Sequence, residues 1–195
     1  MSSSESKNAI VSYLVSQWQS LPYREKLGDR TLYLGWQNKC IVVEKAGVQN
    51  YKFLESNQEE ADGRLILHAL DADKTHSSVT IAANDTDVFI LCIAFSHKFS
   101  SLLLKSGINK VEVFDVKAVA SSLGLDVSRA LPGLHAYTGC DTVSAFSGRG
   151  KLQALKLLKK DTTIQETFDM LGKEWILSDS LFQRLNRFTS SMYST

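Results

Sequence analysis

The chain has 195 residues, 44% of them hydrophobic and 22% charged, which suits a globular protein with one sizeable core. A formal net charge of +1 excludes a global field for nucleic acid or membrane surfaces, so any such contact must come from a local patch. Three widely spaced cysteines, Cys40, Cys92 and Cys140, argue against a disulfide framework and a zinc site, and for reduced thiols inside the cell, in the nucleus or cytoplasm.

In chain order, N-A-I-V-S-Y-L-V-S-Q-W at 8–18 places Ile10, Leu14 and Trp18 at helical spacing, with Val11 and Val15 beside them. The polar stretch from Ser20 to Arg30 reads as a connection. Thr31 to Trp36 and Cys40 to Glu44 are β-prone runs around Gln37-Asn38 and predict a hairpin. S-N-Q-E at 56–59 matches a capping box and predicts a helix carrying Ala61, Leu65 and Ala69 on one stripe. Val79 to Ala83 reads as a buried parallel strand, Val88 to Phe95 as the helix after it, and Lys110 to Val116 as another strand. The apolar run at 88–95 is far too short to span a bilayer, and M-S-S-S-E-S-K lacks the apolar region of a secretory signal, so no membrane contact is expected. Lys117 to Leu123 predicts a helix stopped by Gly124. From Lys151 onward the chain reads as helical, with stripes at Leu152, Leu155 and Leu158 and at Leu181, Leu185 and Phe188, the last helix capped by Ser178. Strands alternating with helices predict an α/β fold with a mostly parallel sheet, which places its site at the C-terminal strand ends.

Five carboxylates fall in three clusters beside apolar segments: Glu60 and Asp62, Asp85 and Asp87, and Asp141. Acids crowded at the edge of a core repel one another, and a divalent cation relieves that repulsion. The pattern suggests a metal site, and a site of acids alone suggests phosphate chemistry. Each acid also has a local reading. Glu59 would cap its own helix, Glu60 and Asp62 favour the positive end of a helix dipole, Asp85 caps a helix starting at Thr86, and Asp141 is placed to cap another. Cys140 reads as a packing residue. His68, His76, His97 and His135 show no ligand spacing, and none is expected to bind metal. Ser147-Gly148-Arg149-Gly150-Lys151 opens a helix, where glycines let backbone N–H groups approach a phosphate and Arg149 or Lys151 adds charge. Its bland reading is a flexible turn with two solvated cations. Lys156, Lys159 and Lys160 extend the basic character.

E-A-D at 60–62, D-T-D at 85–87, G-C-D at 139–141 and G-R-G-K at 148–151, in that order, resemble the flap-endonuclease-like branch of the PIN-like nucleases. E-E-A-D-G-R, D-T-D-V and A-L-P-G-L-H-A-Y-T-G-C-D-T-V-S-A-F-S-G-R-G-K also resemble a family of animal proteins, often multi-copy, that carry such a domain. The motif resemblance covers roughly residues 55–160. It implies a PIN-like α/β core at 31–141, preceded by a helix and connection at 1–30 and followed by a helical extension at 142–195 with a helix–turn–helix-like hairpin. It further implies metal-dependent hydrolysis of a phosphodiester in DNA or RNA, with two Mg²⁺ or Mn²⁺ ions held by Glu60, Asp62, Asp85, Asp87 and Asp141, and with Gly148, Arg149, Gly150 and Lys151 on the substrate backbone.

One departure matters: such nucleases carry a further Asp at the end of a first strand, and no strand ending in that Asp precedes Glu60. The chain therefore reads as a domain lacking its N-terminal part, active when completed upstream. The alternatives are a non-catalytic nucleic-acid-binding or protein-interaction domain derived from a nuclease, and third a haloacid-dehalogenase-like phosphatase, in which E-A-D has no role.

Overall fold

The computed structural model describes residues 3–58, 60–140, 143–174 and 176–194. The chain divides into two compact units, Met1–Asp71 and Ala72–Thr195.

The first unit is built on an antiparallel sheet of β1 (Leu32–Trp36), β2 (Lys39–Val43) and β3 (Val48–Asn50), with β2 in the middle. Trp36 pairs with Lys39, so Gln37-Asn38 is a two-residue hairpin turn, and Gln37 takes the positive φ (49°) that such a turn demands. Helix α1 (Ser3–Trp18) is followed by a short helical turn, α2 (Leu21–Glu25), inside the stretch that reads as a connection. Val15 of α1 packs with Leu34, Ile41 and Val43 on one face of the sheet, with Leu27, Leu32 and Trp36 around them. On the other face Gly35 lies against His68 of α3 (Ala61–Asp73), and the Tyr51 hydroxyl donates to Asp71 at 3.0 Å. Both faces are covered, which is why Cys40 to Val43 is an unbroken buried run.

Two local expectations change here. Of the apolar residues on α1 only Val15 is buried, whereas Ile10 is 60% exposed and Leu14 and Trp18 are also exposed. Helix α3 starts at Ala61, too far from Ser56 for the capping box to form. Ser56 Oγ accepts instead from the Gln58 N–H at 3.2 Å, a serine turn of the kind that competes with helix. Glu59 lies outside the described residues. The buried residues of α3 are Ile66 and Ala69.

The second unit contains β4 (Val79–Ala82), α4 (Thr86–Phe95), β5 (Leu102–Ser106), β6 (Glu112–Asp115), α5 (Val116–Leu123), α6 (Leu125–Tyr137), α7 (Lys151–Lys160), α8 (Thr162–Met170) and α9 (Asp179–Tyr193). The expected mostly parallel, PIN-like sheet is not formed. The described strands make two three-stranded sheets, one antiparallel and one mixed, and β4–β5 is the parallel pair. The physical reason is the length of the connections. Helix α4 gives the crossover that a parallel β4–β5 pair needs, but residues 107–111 between β5 and β6 permit only a hairpin. Gly107, at φ +101°, makes that turn; a Cβ there would meet the Lys110 carbonyl oxygen at 2.1 Å. Strand β4 also alternates buried and exposed residues and is not buried throughout.

Several helix ends match their local signals. Gly124, at φ 87°, ends α5 with its N–H on the Ala120 carbonyl (3.0 Å), and Ser178 caps α9 by accepting from Leu181 N–H (3.3 Å). Helix α9 buries Leu181, Leu185, Phe188 and Met192. Helix α7 buries Ala154 and Leu158, while Leu152 of the expected stripe is 77% exposed. An aromatic cluster joins α6, α8 and α9: Tyr137, Phe168 and Phe188, with Phe146 from the loop before α7 on the Tyr137 ring. Among the described residues no helix is long and apolar enough to cross a membrane.

Candidate functional site

The acid motif of the second unit sits at the C-terminal end of β4, where the parallel pair opens. Asn84 leads it, accepting the Gly107 N–H at 2.7 Å and so tying the end of β4 to the turn beyond β5. Asp85 is the N-cap of α4 and accepts the Asp87 N–H on Oδ1 at 2.9 Å. The capping role anticipated for Asp85 is thus observed, and it aims Asp87 from the first turn.

Asp87 Oδ1 meets His135 Nε2 at 2.7 Å, from the last turn of α6. Lys151 Nζ lies against the same imidazole, 2.8 Å from Nδ1, 3.4 Å from Nε2 and 3.4 Å from the His135 carbonyl oxygen. The D-T-D and G-R-G-K motifs therefore meet through a histidine that belongs to neither. His135 is 13% exposed and Asp87 36%, so the imidazole is enclosed and the carboxylate reaches solvent.

The loop from Thr138 to Gly150 delivers Lys151 to this point. Thr138 Oγ1 donates to the Leu134 carbonyl at 2.7 Å and closes α6. Gly139, at φ +111°, lies against Ala145, leaving no room for a Cβ. Cys140 and Val143 then exchange backbone hydrogen bonds of 3.1 and 3.2 Å. Gly148 needs glycine for its φ of +68°, whereas Gly150, the N-cap of α7, has an ordinary φ of −89° and open space around it. Arg149 turns away from Lys151: its guanidinium lies 5.3 Å from the Tyr193 ring centroid, and the Tyr193 hydroxyl donates to the Ser147 carbonyl at 3.2 Å. Of the two cations in the motif, Lys151 is the one that meets His135.

Glu60 is exposed just before α3 and Asp62 is half-buried in its first turn, both in the first unit. Asp141 lies outside the described residues. Asp85 and Asp87 offer hard oxygens suited to Mg²⁺ or Mn²⁺. Among the described residues, however, no group of three or more His, Cys, Asp or Glu side chains could hold a metal ion. The described residues thus have the chemistry of a cation site but not the number of ligands.

The thiols of Cys40 and Cys92 are buried. Burial alone pushes the Cys92 thiol in α4 up to about 11, and burial, then Asp71 and Glu55, raises that of Cys40. In the first unit, burial against Gly35 lowers the titration of His68, opposed in part by Asp71. Its folded-state pKa lies below its unfolded value of about 6.5, so the unfolded chain binds more protons just below that pH. Stability is thus lost as pH falls through that window. Melting curves should show His68→Gln losing less stability than the parent chain between pH 7 and 5; parallel profiles would contradict this.

His135 is the residue that sequence reasoning missed. It stands one helical turn before Gly139, and its partners lie 48 residues upstream and 16 downstream, so no spacing could signal them. No protein-family model matches the chain, and neither a curated protein nor a solved structure is significantly similar to it.

Proposed function

We propose that the second unit binds the phosphodiester backbone of DNA or RNA and that its activity is metal-dependent hydrolysis of that backbone. The observation supporting this is the Asp87–His135–Lys151 contact, which joins an acidic motif and a basic loop in one solvent-reached site. A phosphodiester needs both signs of charge nearby. Cations take its non-bridging oxygens, and carboxylates serve the hydrolytic side. Lys151, Lys156, Lys159 and Lys160 are exposed along α7, which contains no acid, so this helix is basic although the chain as a whole is nearly neutral. Lysines of this kind track a backbone without reading sequence. The order of the four motifs supports hydrolysis over binding alone.

The test is cleavage of flap DNA, single-stranded DNA and RNA in Mn²⁺. The expected result is cleavage that Asp87→Ala abolishes. No cleavage of any substrate, together with no Mn²⁺ binding by calorimetry, would overturn the hydrolytic assignment. Salt-sensitive DNA binding that survives Asp85→Ala and Asp87→Ala would leave a non-catalytic nucleic-acid-binding domain.

A further inference from the structure

We propose that His135 is a positioning residue that seats Lys151 beside Asp87, and that Lys151 so seated contacts one phosphate of a bound strand; this rests on the phosphodiester reading above. A carboxylate only accepts hydrogen bonds, so the 2.7 Å contact to Asp87 puts a ring hydrogen on Nε2, and in the neutral ring Nδ1 is then bare. An ammonium only donates, and Lys151 Nζ faces that bare nitrogen at 2.8 Å. Its distance to Nε2 is 3.4 Å, similar enough to place the ammonium over the edge of the ring, where the π-face also attracts it.

The imidazole of His135 is in contact with Asp87 on one side and with Lys151 over the ring. Its role is to hold. The imidazole is enclosed at the end of α6, and it gives a flexible four-carbon side chain on an exposed helix start one fixed position. Holding Lys151 in advance removes the ordering cost that a free lysine would incur on meeting a phosphate. Of its three N–H donors, the ring and the His135 carbonyl oxygen occupy two, which leaves one for a ligand. Arg149 does not compete for this role, because Tyr193 holds it.

The experiment is the salt dependence of binding of a single-stranded oligonucleotide to the whole chain, with melting curves on every variant. Lys151→Ala should reduce the slope of log K against log salt by about 0.7, the value of one phosphate contact on a single strand. His135→Leu should give the same reduction, and the double variant no more. His135→Gln keeps one acceptor and one donor and should restore the parental slope. A purely structural role for His135 would lower the melting temperature and leave the slope unchanged. A parental slope in His135→Leu or in Lys151→Ala, or reductions that add in the double variant, overturns the inference. If His135→Leu does not fold, Lys151→Ala and His135→Gln decide the matter by the same criteria. No binding by the unaltered chain at low salt overturns the phosphodiester reading itself, and this inference with it.

Discussion

Phe168→Ala is expected to destabilise the second unit by about 3–5 kcal/mol, the range for deleting a buried aromatic ring. Phe168 is 1% exposed and stacks edge-on to Phe188 at 4.7 Å, with Tyr137 at 5.7 Å. Removing the ring costs its burial and leaves a cavity that three helices cannot all close. Thermal melting should show a drop on the order of 10 °C or more, and a drop of only a few degrees would mean that the cluster tolerates repacking. The effect should reach the candidate site as well. Tyr137 lies two residues beyond His135, and Phe146, which leads toward Lys151, packs on the Tyr137 ring. The cluster thus supports both sides of the Asp87–His135–Lys151 contact.

Gly133→Ala should destabilise the same unit by up to about 2 kcal/mol, although alanine is the better helix former. The propensity gain is about 1 kcal/mol. Against it, a Cβ on Gly133 would meet the Phe168 carbonyl oxygen at 2.3 Å and its carbon at 3.2 Å. Those are backbone atoms of α8, so relief requires a helix to move, an overpacking cost of about 1–3 kcal/mol or more. The contrast is Gly150→Ala, at an ordinary φ with nothing within 4 Å, which loses only glycine's N-cap preference over alanine, about 0.5–1 kcal/mol. Urea midpoints at constant m distinguish the two. A neutral Gly133→Ala would show that α6 and α8 are not in the close contact described.

These two residues also explain what was and was not legible beforehand. The pair Pro132-Gly133 lies inside residues 125–137. They form α6, whose glycine is needed by a neighbour and not by a turn. Strand β5, Leu102 to Ser106, gives no strand signal of its own, because it is a short apolar run without clear period. Missing it turned the alternation of strands and helices into an expectation of a parallel sheet, when β6 in fact returns antiparallel to β5.

The candidate site divides along the same line. Asp85 as a cap and the glycine-led entry to α7 could be read from neighbours in sequence. That Arg149 turns to Tyr193, and that a histidine joins Asp87 to Lys151, could not.

What the sequence by itself determined was local: the Gln37-Asn38 hairpin, the Asp85 and Ser178 caps, the Gly124 stop and the buried face of α9. Each depends on hydrogen bonds or side-chain spacing within a few residues, where covalent geometry leaves few choices. Only the tertiary structure decided the direction of β6, the close approach of α6 and α8, and the Asp87–His135–Lys151 contact. Those depend on which distant segments pack together, and that is set by the length of connections and the fit of whole surfaces.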